Sequence, residues 1–233
     1  MKLSNKSFEA DKKGEFPFEY KKGRVAFLNC KIDLSKRTFI PRVETEFWLK
    51  KAIKEIKRLT INSKQLTILD VFAGSGCVGM AILKNVENAN VDFVDVDQRA
   101  IFQIKLNLKL NKIPKGKYNI YKSDLFEKIK NKKYDYIFAN PPYVALDRIK
   151  EVSSSVLKYE PKNALFGGKD GLFYIREFLG KAPKFLKEKG IIYLEIDPLQ
   201  IREIIKILKI NNFKKFKFFK DQFKKYRWVK IWT

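Results

Sequence analysis

The chain has 233 residues, of which 45% are hydrophobic, so it can bury the core of one domain with a small appendage. It contains no histidine and only two cysteines, Cys30 and Cys77. These counts exclude Ser-His-Asp catalysis, Cys-His catalysis, the common zinc sites and a disulfide framework. No apolar run approaches the length of a membrane span, and the first residues lack a hydrophobic signal segment. We therefore expect a cytoplasmic protein with no membrane partner.

The formal net charge is +24, from 50 Lys and Arg against 26 Asp and Glu. A charge of this size favours a polyanionic partner such as RNA, DNA or the ribosome. The positive residues are mostly lysines spread along the whole chain, which is equally typical of solvated surfaces. Direct nucleic-acid binding is therefore an open alternative that the charge alone does not decide.

The N-terminal region is expected to precede the main sheet. Residues 1–22 are polar and mixed in charge, and we interpret them as a mobile or loosely docked leader. Residues 23–39 alternate between apolar and polar side chains, which predicts a β-hairpin with its turn near residues 33–36. Thr45 is positioned to cap a helix over residues 46–59.

A strand, a glycine-rich turn and a helix follow in direct succession. The pattern predicts an apolar strand over residues 65–73, a turn at 74–79 and a helix over 80–85. Glycines permit the tight turn and let backbone N–H groups approach a ligand, with the helix N-terminus behind them. This succession is typical of the first half of a nucleotide-binding unit.

The second strand is predicted over residues 89–96. It brings Asp95 about 20 residues beyond the glycine turn, where an acidic side chain accepts hydrogen bonds from ribose hydroxyls. Asp97 is the competing acidic residue, although we expect it to cap the helix over residues 98–111. Asp70, near the end of the first strand, is expected to orient the glycine turn or to meet a ligand ammonium group.

The rest of the chain continues the alternation of strands and helices. The predicted elements are a strand over 117–123 that ends at Asp124, a strand over 136–139, an irregular insertion over 144–170, a helix over 172–188 bent near Pro183, a strand over 190–197, a helix over 199–209, and a closing strand pair over 213–220 and 226–232. Five strand–helix units and an antiparallel pair predict an α/β fold with a mostly parallel seven-stranded sheet.

The strand over residues 136–139 ends in a polar turn, Asn140-Pro141-Pro142-Tyr143. Prolines cannot donate to a sheet ladder, and they disfavour helical backbone at the residue before them. The turn is therefore presented at the carboxyl end of a central strand, which is where ligands bind in open α/β sheets. We interpret it as a functional turn, with simple strand termination as the alternative.

The glycine turn by itself leaves several enzyme classes open. Gly74, Gly76 and Gly79 fit the dinucleotide spacing G-x-G-x-x-G, so a NAD-dependent dehydrogenase is one alternative. The chain has no histidine for the catalytic step of such an enzyme. It also lacks the G-x-x-x-x-G-K-[ST] motif, which weakens a kinase or NTPase interpretation. The closing strand pair and the polar turn favour a methyltransferase sheet.

Two segments resemble general methyltransferase motifs. Residues 70–79 resemble the S-adenosylmethionine motif of Rossmann-like methyltransferases. Residues 140–143 resemble the tetrapeptide of those that methylate a planar, amide-like nitrogen. That group comprises the adenine N6 and cytosine N4 DNA enzymes and the glutamine N5 enzymes. The two segments leave all three substrates open.

Further segments narrow the resemblance. Residues 39–46 are similar to the signature that precedes the catalytic domain of HemK/PrmC-type release factor glutamine methyltransferases. Residues 159–172 are similar to the insertion of the same family, and residues 194–196 and 227–229 also match it. The resemblance extends over roughly residues 23–233.

This resemblance implies S-adenosylmethionine as the cofactor, no metal, and a peptide chain release factor as the protein partner. It implies methylation of the amide nitrogen (N5) of the glutamine in the release factor's Gly-Gly-Gln motif. The implied catalytic residues are Asn140, Pro141, Pro142 and Tyr143. The implied cofactor-binding residues are Asp70, Phe72, Ala73, Gly74, Ser75, Gly76, Asp95, Asp124, Leu125 and Asn140. The implied substrate-binding residues are the same catalytic four together with Arg42, Glu44 and Glu160.

Members of this family usually carry a helical domain ahead of the hairpin, whereas 22 residues precede it here, so we expect most of that domain to be lacking. The expected parts are a leader over 1–22, the hairpin and linking helix over 23–64, and the methyltransferase catalytic domain over 65–233. We expect a monomer whose hairpin, insertion and lysine-rich surface dock the substrate. The alternatives are a ribosomal-protein glutamine methyltransferase, an adenine N6 nucleic-acid methyltransferase, and a non-catalytic RNA- or ribosome-binding module.

Overall fold

The computed structural model of the protein describes residues 15–59 and 65–233. Helices and strands alternate along most of this length. The helices are α1 (Phe18–Lys22), α2 (Val43–Leu59), α3 (Cys77–Asn85), α4 (Gln98–Leu110), α5 (Ser154–Tyr159), α6 (Phe173–Lys181) and α7 (Ile201–Ile210). The strands are β1 (Arg24–Phe27), β2 (Cys30–Asp33), β3 (Leu66–Val71), β4 (Ala89–Asp95), β5 (Tyr118–Lys122), β6 (Tyr134–Ala139), β7 (Leu186–Glu195), β8 (Lys215–Lys220) and β9 (Tyr226–Trp232).

Seven of these strands form one sheet in the order β5-β4-β3-β6-β7-β9-β8. The pairs from β5 to β7 are parallel, and β9 runs antiparallel to both β7 and β8. The predicted α/β fold is therefore confirmed, with β1 and β2 as a separate antiparallel pair. The chain builds outward from β3 through β4 to β5, and then returns to place β6 on the other side of β3. Between β3 and β6 the carboxyl ends of the strands consequently open a crevice.

The central strands are apolar because both faces of the sheet are covered. One face packs against α2, α3 and α4 through buried side chains such as Trp48, Met80 and Phe138. The other packs against α6 and α7 through side chains such as Ile137 and Phe178. Strands β3 and β6 are therefore packed between two hydrophobic cores, so the turns that follow these strands start from rigid positions.

The predicted position of the hairpin turn was wrong. Strands β1 and β2 pair with Phe27 opposite Cys30, so the turn consists of Leu28 and Asn29. Both turn residues have positive φ, at 40° and 67°. No glycine marks this turn in the sequence, which explains why the turn was expected near residues 33–36.

The predicted leader is partly structured. Residues 18–22 form α1, and the buried Tyr20 donates a hydrogen bond from its hydroxyl to the carbonyl of Thr38 at 2.7 Å. This part of the chain is a docked helix, contrary to the expectation of a loosely attached segment. Residues 1–14 of the predicted leader, and residues 60–64 after the linking helix, lie outside the described residues.

Two helix boundaries also differ from the prediction. Helix α2 begins at Val43, so Thr45 lies within its first turn and is not the N-cap that the sequence indicated. The helix expected over residues 172–188 ends at Lys181, and a short 3-10 turn over Ala182–Phe185 follows it. Pro183 lacks the backbone N–H that an α-helix needs, and Leu186 already pairs with Tyr134 as part of β7.

Among the residues that the structure describes, none of the helices combines the length and the apolar character needed to cross a membrane.

Gly79 and Gly180 allow a paired test of the packing. A Cβ at Gly79 in α3 would lie 2.4 Å from a Phe93 ring carbon and 2.8 Å from Val91. We expect Gly79→Ala to lower the free energy of unfolding by about 1–3 kcal/mol, because overpacking forces α3 away from β4. At Gly180 in α6 the nearest atom would be 3.6 Å away, so Gly180→Ala is expected to raise it by about 0.5–1 kcal/mol. Urea denaturation measures both, and equal shifts would contradict this account.

Candidate active site

A cavity of about 320 Å³ opens at the carboxyl ends of β3, β4 and β6. Its size lies within the range of small-molecule sites. Its wall is formed by residues 38–45, the turn after β3, the end of β4, the residues after β5, the turn after β6 and part of the insertion. This is the edge of the sheet at which the sequence predicted a ligand site.

The turn after β3 is wound through unusual backbone conformations. Phe72, Gly74 and Gly76 all have positive φ, at 61°, 55° and 78°. A Cβ at Gly76 would lie 3.1 Å from Ile104, so the glycine lets α4 approach the turn closely. The predicted cofactor residues from Phe72 to Ser75 line the cavity, whereas Gly76 lies behind them as the N-cap of α3.

Two buried carboxylates hold this turn in place. The Asp70 carboxylate accepts a hydrogen bond from the Gly79 N–H at 2.9 Å. The Asp95 carboxylate accepts from the N–H groups of Gly74 and Asp97, both at 2.8 Å. Burial raises the pKa of both acids, and the neighbouring Asp95 charge adds to the shift that brings the pKa of Asp70 to about 7. Asp70 thus anchors the first turn of α3, directly behind the glycine turn, whereas Asp95 holds the turn itself at Gly74.

Asp97 has the capping role that the sequence indicated. Its side chain accepts from the Arg99 N–H at 2.8 Å and so caps α4. It also accepts from the Asn163 side chain at 3.2 Å, which ties the insertion to the cavity wall. Asp124 and Leu125 also line the cavity, and their role in cofactor binding stays a prediction.

All four residues of the turn after β6, Asn140 to Tyr143, line the cavity. Their backbone is held from behind by the end of the insertion. A Cβ at Gly167 would lie 2.4 Å from the Pro142 carbonyl oxygen, and one at Gly171 would lie 2.2 Å from that of Tyr143. The Gln200 amide donates to the Tyr143 carbonyl at 2.9 Å. The glycines of the insertion are therefore required by close packing against this turn.

The insertion itself is more regular than predicted. Residues 144–170 were expected to be irregular, but they contain α5 and short 3-10 turns over Leu146–Glu151 and Lys162–Ala164. The beginning and the end of the insertion are joined to each other, because Val144 and Phe166 form a parallel β-bridge. We interpret it as a folded wall of the cavity.

The three predicted substrate residues outside the tetrapeptide occupy different positions relative to the cavity. Arg42 lines the cavity and forms an ion pair with Glu160 of the insertion. Glu160 is buried behind the wall, where it also accepts from the Ile40 N–H at 3.2 Å. Glu44 lies in the first turn of α2 and does not line the cavity. The structure therefore brings Arg42 to the cavity and uses Glu160 to hold it there.

Glu195 lies in a segment that resembles the family, but the sequence interpretation gave it no role at the site. It ends β7 with 1% of its surface exposed, and burial raises the pKa of its carboxyl group. Its carboxylate accepts hydrogen bonds from Thr45, Trp48 and Tyr143. The sequence offered one signal, since an acidic residue at the carboxyl end of an otherwise apolar strand needs a special partner to be buried.

The chain is similar to several known proteins. A sequence model described as "Methyltransferase small domain" matches residues 55–169. The release factor glutamine methyltransferase of Thermodesulfovibrio yellowstonii is 33% identical over 205 residues, which cover 88% of this chain and 72% of that protein. The protein of the same name from Flavobacterium psychrophilum is 35% identical over 221 residues, covering 94% and 76% of the two chains.

Solved structures share the fold at lower identity. The ribosomal protein L11 methylase of Lactobacillus delbrueckii subsp. bulgaricus has a TM-score of 0.58 at 20% identity, covering 86% of this chain and 82% of that one. The human Mettl16 catalytic domain, in complex with a MAT2A 3'UTR hairpin, has a TM-score of 0.69 at 15% identity, covering 88% and 76%. These likenesses show the methyltransferase fold and nothing about the substrate.

The buried Asp70 predicts a pH-dependent stability difference. Consider an acid whose pKa is higher in the folded than in the unfolded state. Its contribution to the free energy of unfolding is fully present below the unfolded pKa. This contribution is lost as the pH rises through the folded pKa. For Asp70 the window runs from 3.8 to about 7. Asp70→Asn removes the titration and keeps an oxygen for the Gly79 N–H.

Relative to the parent chain, Asp70→Asn should gain stability on the order of 2–4 kcal/mol between pH 4 and pH 8. Chemical denaturation of both proteins across this range measures the difference. A difference that stays constant with pH would show that Asp70 is ionised in the folded protein throughout.

Proposed function

This chain belongs to the release factor glutamine methyltransferase family, and we propose that it methylates the amide nitrogen (N5) of the glutamine in the Gly-Gly-Gln motif of a peptide chain release factor. It is an enzyme that uses S-adenosylmethionine as its methyl donor. The observation that carries the proposal is the cavity into which both the glycine turn and the turn from Asn140 to Tyr143 open. A methyl donor and an amide can therefore meet in one enclosed space.

The charges of the cavity wall fit a cationic cofactor. In a chain with a net charge of +24, the cavity wall contains four acids, Asp70, Asp95, Asp97 and Asp124, and one basic side chain, Arg42. S-adenosylmethionine supplies an electrophilic methyl group on a positively charged sulfonium, and carboxylates stabilise such a charge. The acidic wall within a basic protein is therefore the feature that favours this cofactor.

Individual residues fit its parts as well. We propose that backbone groups of Gly74 and Ser75 hold the methionine part, with Gly76 supporting them from behind, and that Asp95 accepts hydrogen bonds from the ribose. Leu125 is buried and lines the cavity, so it offers an apolar surface for the adenine ring. Thr38 also lines the cavity, and its buried hydroxyl oxygen has no hydrogen-bond partner among the described residues.

The tetrapeptide suits an amide substrate for a chemical reason. The lone pair of an amide nitrogen is delocalised into its carbonyl, so the nitrogen is a poor nucleophile that needs accurate positioning. We propose that the side-chain oxygen of Asn140 and the backbone carbonyl of Pro141 accept its two N–H bonds. These contacts would align the nitrogen and increase its electron density, and positioning of this kind lowers barriers by up to roughly 7–11 kcal/mol.

The remaining residues of the turn would exclude water. Pro142 is buried and Tyr143 is partly buried, and both line the cavity. The amide proton becomes acidic only after the methyl group has been transferred, so no strong general base is required before attack. We propose that the release factor docks on the hairpin, the insertion and the lysine-rich surface, with the enzyme acting as a monomer.

Asn140→Ala is expected to lower kcat on the order of a hundredfold or more, because the amide nitrogen loses one of its two acceptors. Cofactor affinity should stay within a few-fold, measured by calorimetry with S-adenosylmethionine. Near-normal turnover on a release factor would contradict the positioning role.

Asp95→Ala is expected to act on the cofactor. Losing hydrogen bonds to a charged group costs about 1.5–3 kcal/mol, so the dissociation constant for S-adenosylhomocysteine should rise roughly 10- to 100-fold. Thermal unfolding run in parallel separates this effect from loss of the Gly74 contact. An unchanged affinity would remove Asp95 from the cofactor site.

Mass spectrometry of a release factor after incubation with enzyme and cofactor tests the proposed function. We expect one added methyl group, located by fragmentation on the glutamine of the Gly-Gly-Gln motif. A ribosomal-protein fraction and an adenine-containing oligonucleotide serve as parallel substrates. Methylation of either of these with an unmodified release factor would overturn the proposal.

A further inference from the structure

We propose that a buried hydrogen-bond chain running from Trp48 through Glu195 to Thr45 fixes the orientation of the Asn140 side-chain amide, with its oxygen facing the cavity. This inference rests on the proposed function for its meaning, since it explains how Asn140 presents an acceptor to the substrate. Trp48, Glu195 and Thr45 act as positioning residues, because they work through Asn140.

Two hydrogen bonds of this chain are buried, and the third, which reaches Asn140 at the cavity wall, is partly buried. The Trp48 indole N–H and the Thr45 hydroxyl both donate to the same oxygen of Glu195, each at 2.7 Å. The Asn140 side-chain nitrogen donates to the Thr45 hydroxyl oxygen at 3.5 Å. Trp48, Glu195 and Thr45 are each at most 2% exposed, so bulk water has little access to replace these bonds.

The chemistry of each group decides which one donates and which one accepts in these hydrogen bonds. An indole N–H can only donate, so the Glu195 oxygen that it contacts must accept. With Glu195 ionised, the Thr45 hydroxyl, which contacts the same oxygen, donates its single proton to it. Its lone pairs are left to face Asn140, where they can accept only from the NH₂ group of the amide. The asparagine oxygen is thereby turned to the opposite side, toward the cavity.

This orientation matters because an amide has two faces of opposite character. With its oxygen toward the cavity, Asn140 accepts an N–H bond of a substrate amide. If the amide were flipped, its NH₂ group would face the substrate NH₂ group and two donors would oppose each other. A flip would also leave the Asn140 oxygen against the lone pairs of Thr45. The flipped orientation of the Asn140 amide is therefore disfavoured both by its contact with the substrate and by its contact with Thr45.

Substitutions at Glu195 and at Thr45 are expected to have different effects on this hydrogen-bond chain. In Glu195→Gln, the new side chain can keep its oxygen toward Trp48 and Thr45. Its NH₂ group would then face the hydroxyl of Tyr143, which donates to Glu195 at 3.1 Å in the parent and can accept instead. The direction of the chain survives this change. In Thr45→Val, by contrast, the link to Asn140 is removed at nearly constant volume.

The first test observes the amide directly and needs no release factor. In ¹⁵N-labelled protein with S-adenosylhomocysteine added, we expect nuclear Overhauser contacts between the side-chain NH₂ protons of Asn140 and the protons of Thr45. We expect the contacts between the Asn140 NH₂ protons and residue 45 to persist in Glu195→Gln. We expect them to be lost in Thr45→Val, because valine offers no acceptor for the NH₂ group. Absence of the contacts in the parent protein, or their survival in Thr45→Val, would overturn the inference even if the proposed substrate proved wrong.

The second test is kinetic, with release factor as substrate. Thr45→Val should lower kcat about tenfold, as expected for one lost hydrogen bond, with KM and cofactor affinity nearly unchanged. Thr45→Ser keeps the hydroxyl and should restore most of kcat, and Glu195→Gln should stay within a few-fold of the parent. If Thr45→Ser is as impaired as Thr45→Val, or if KM alone changes, the positioning role is wrong.

Tyr193→Phe is the matched control. Its hydroxyl donates to Glu55 at 3.1 Å, so the substitution also removes a hydroxyl–carboxylate bond, here a partly buried one, from β7. Tyr193 does not line the cavity. We expect the control to match Thr45→Val in thermal destabilisation and the parent in kcat. An equal loss of kcat in both variants would mean that Thr45 acts through general stability, which would contradict the inference.

Discussion

The parallel pairing of β3 with β6 is the constraint on which the site depends. Val71 lies opposite Ala139 in this pair, so the strands end at the same level and their turns leave the sheet side by side. The turn beginning at Phe72 contains the glycines, and the turn beginning at Asn140 contains the side-chain amide of that asparagine. Because each core packs against both strands, the separation between these two turns is set by the sheet itself.

Charge is divided between the surface and the cavity. The 50 lysines and arginines give the chain its net charge of +24, whereas four acids and one arginine line the cavity. Two of these acids, Asp70 and Asp95, also shape the glycine turn through backbone N–H groups, so one set of residues supports both the turn and a cationic ligand. The basic surface therefore carries no information about the cofactor, and the fold alone would not separate protein from nucleic-acid substrates.

The local features of this chain were predictable and the distant ones were not. The apolar strands, the cap at Asp97 and the turn after β6 each arise from neighbouring residues, and each lies where the pattern indicated. The hairpin turn at Leu28 and Asn29 was misplaced because its positive φ angles are imposed without glycine. Thr45 resembled a helix cap, yet its hydroxyl is used by Glu195, which is 150 residues away. Such a contact exists only once the sheet has formed.

The central claim is that Asn140 and Pro141 hold a glutamine amide by its two N–H bonds. A crystal structure with S-adenosylhomocysteine and a peptide containing Gly-Gly-Gln tests this most directly. We predict that the glutamine nitrogen lies within about 3.2 Å of both the Asn140 side-chain oxygen and the Pro141 carbonyl oxygen. A glutamine bound outside the cavity, or one that turns its oxygen toward Asn140, would contradict the account.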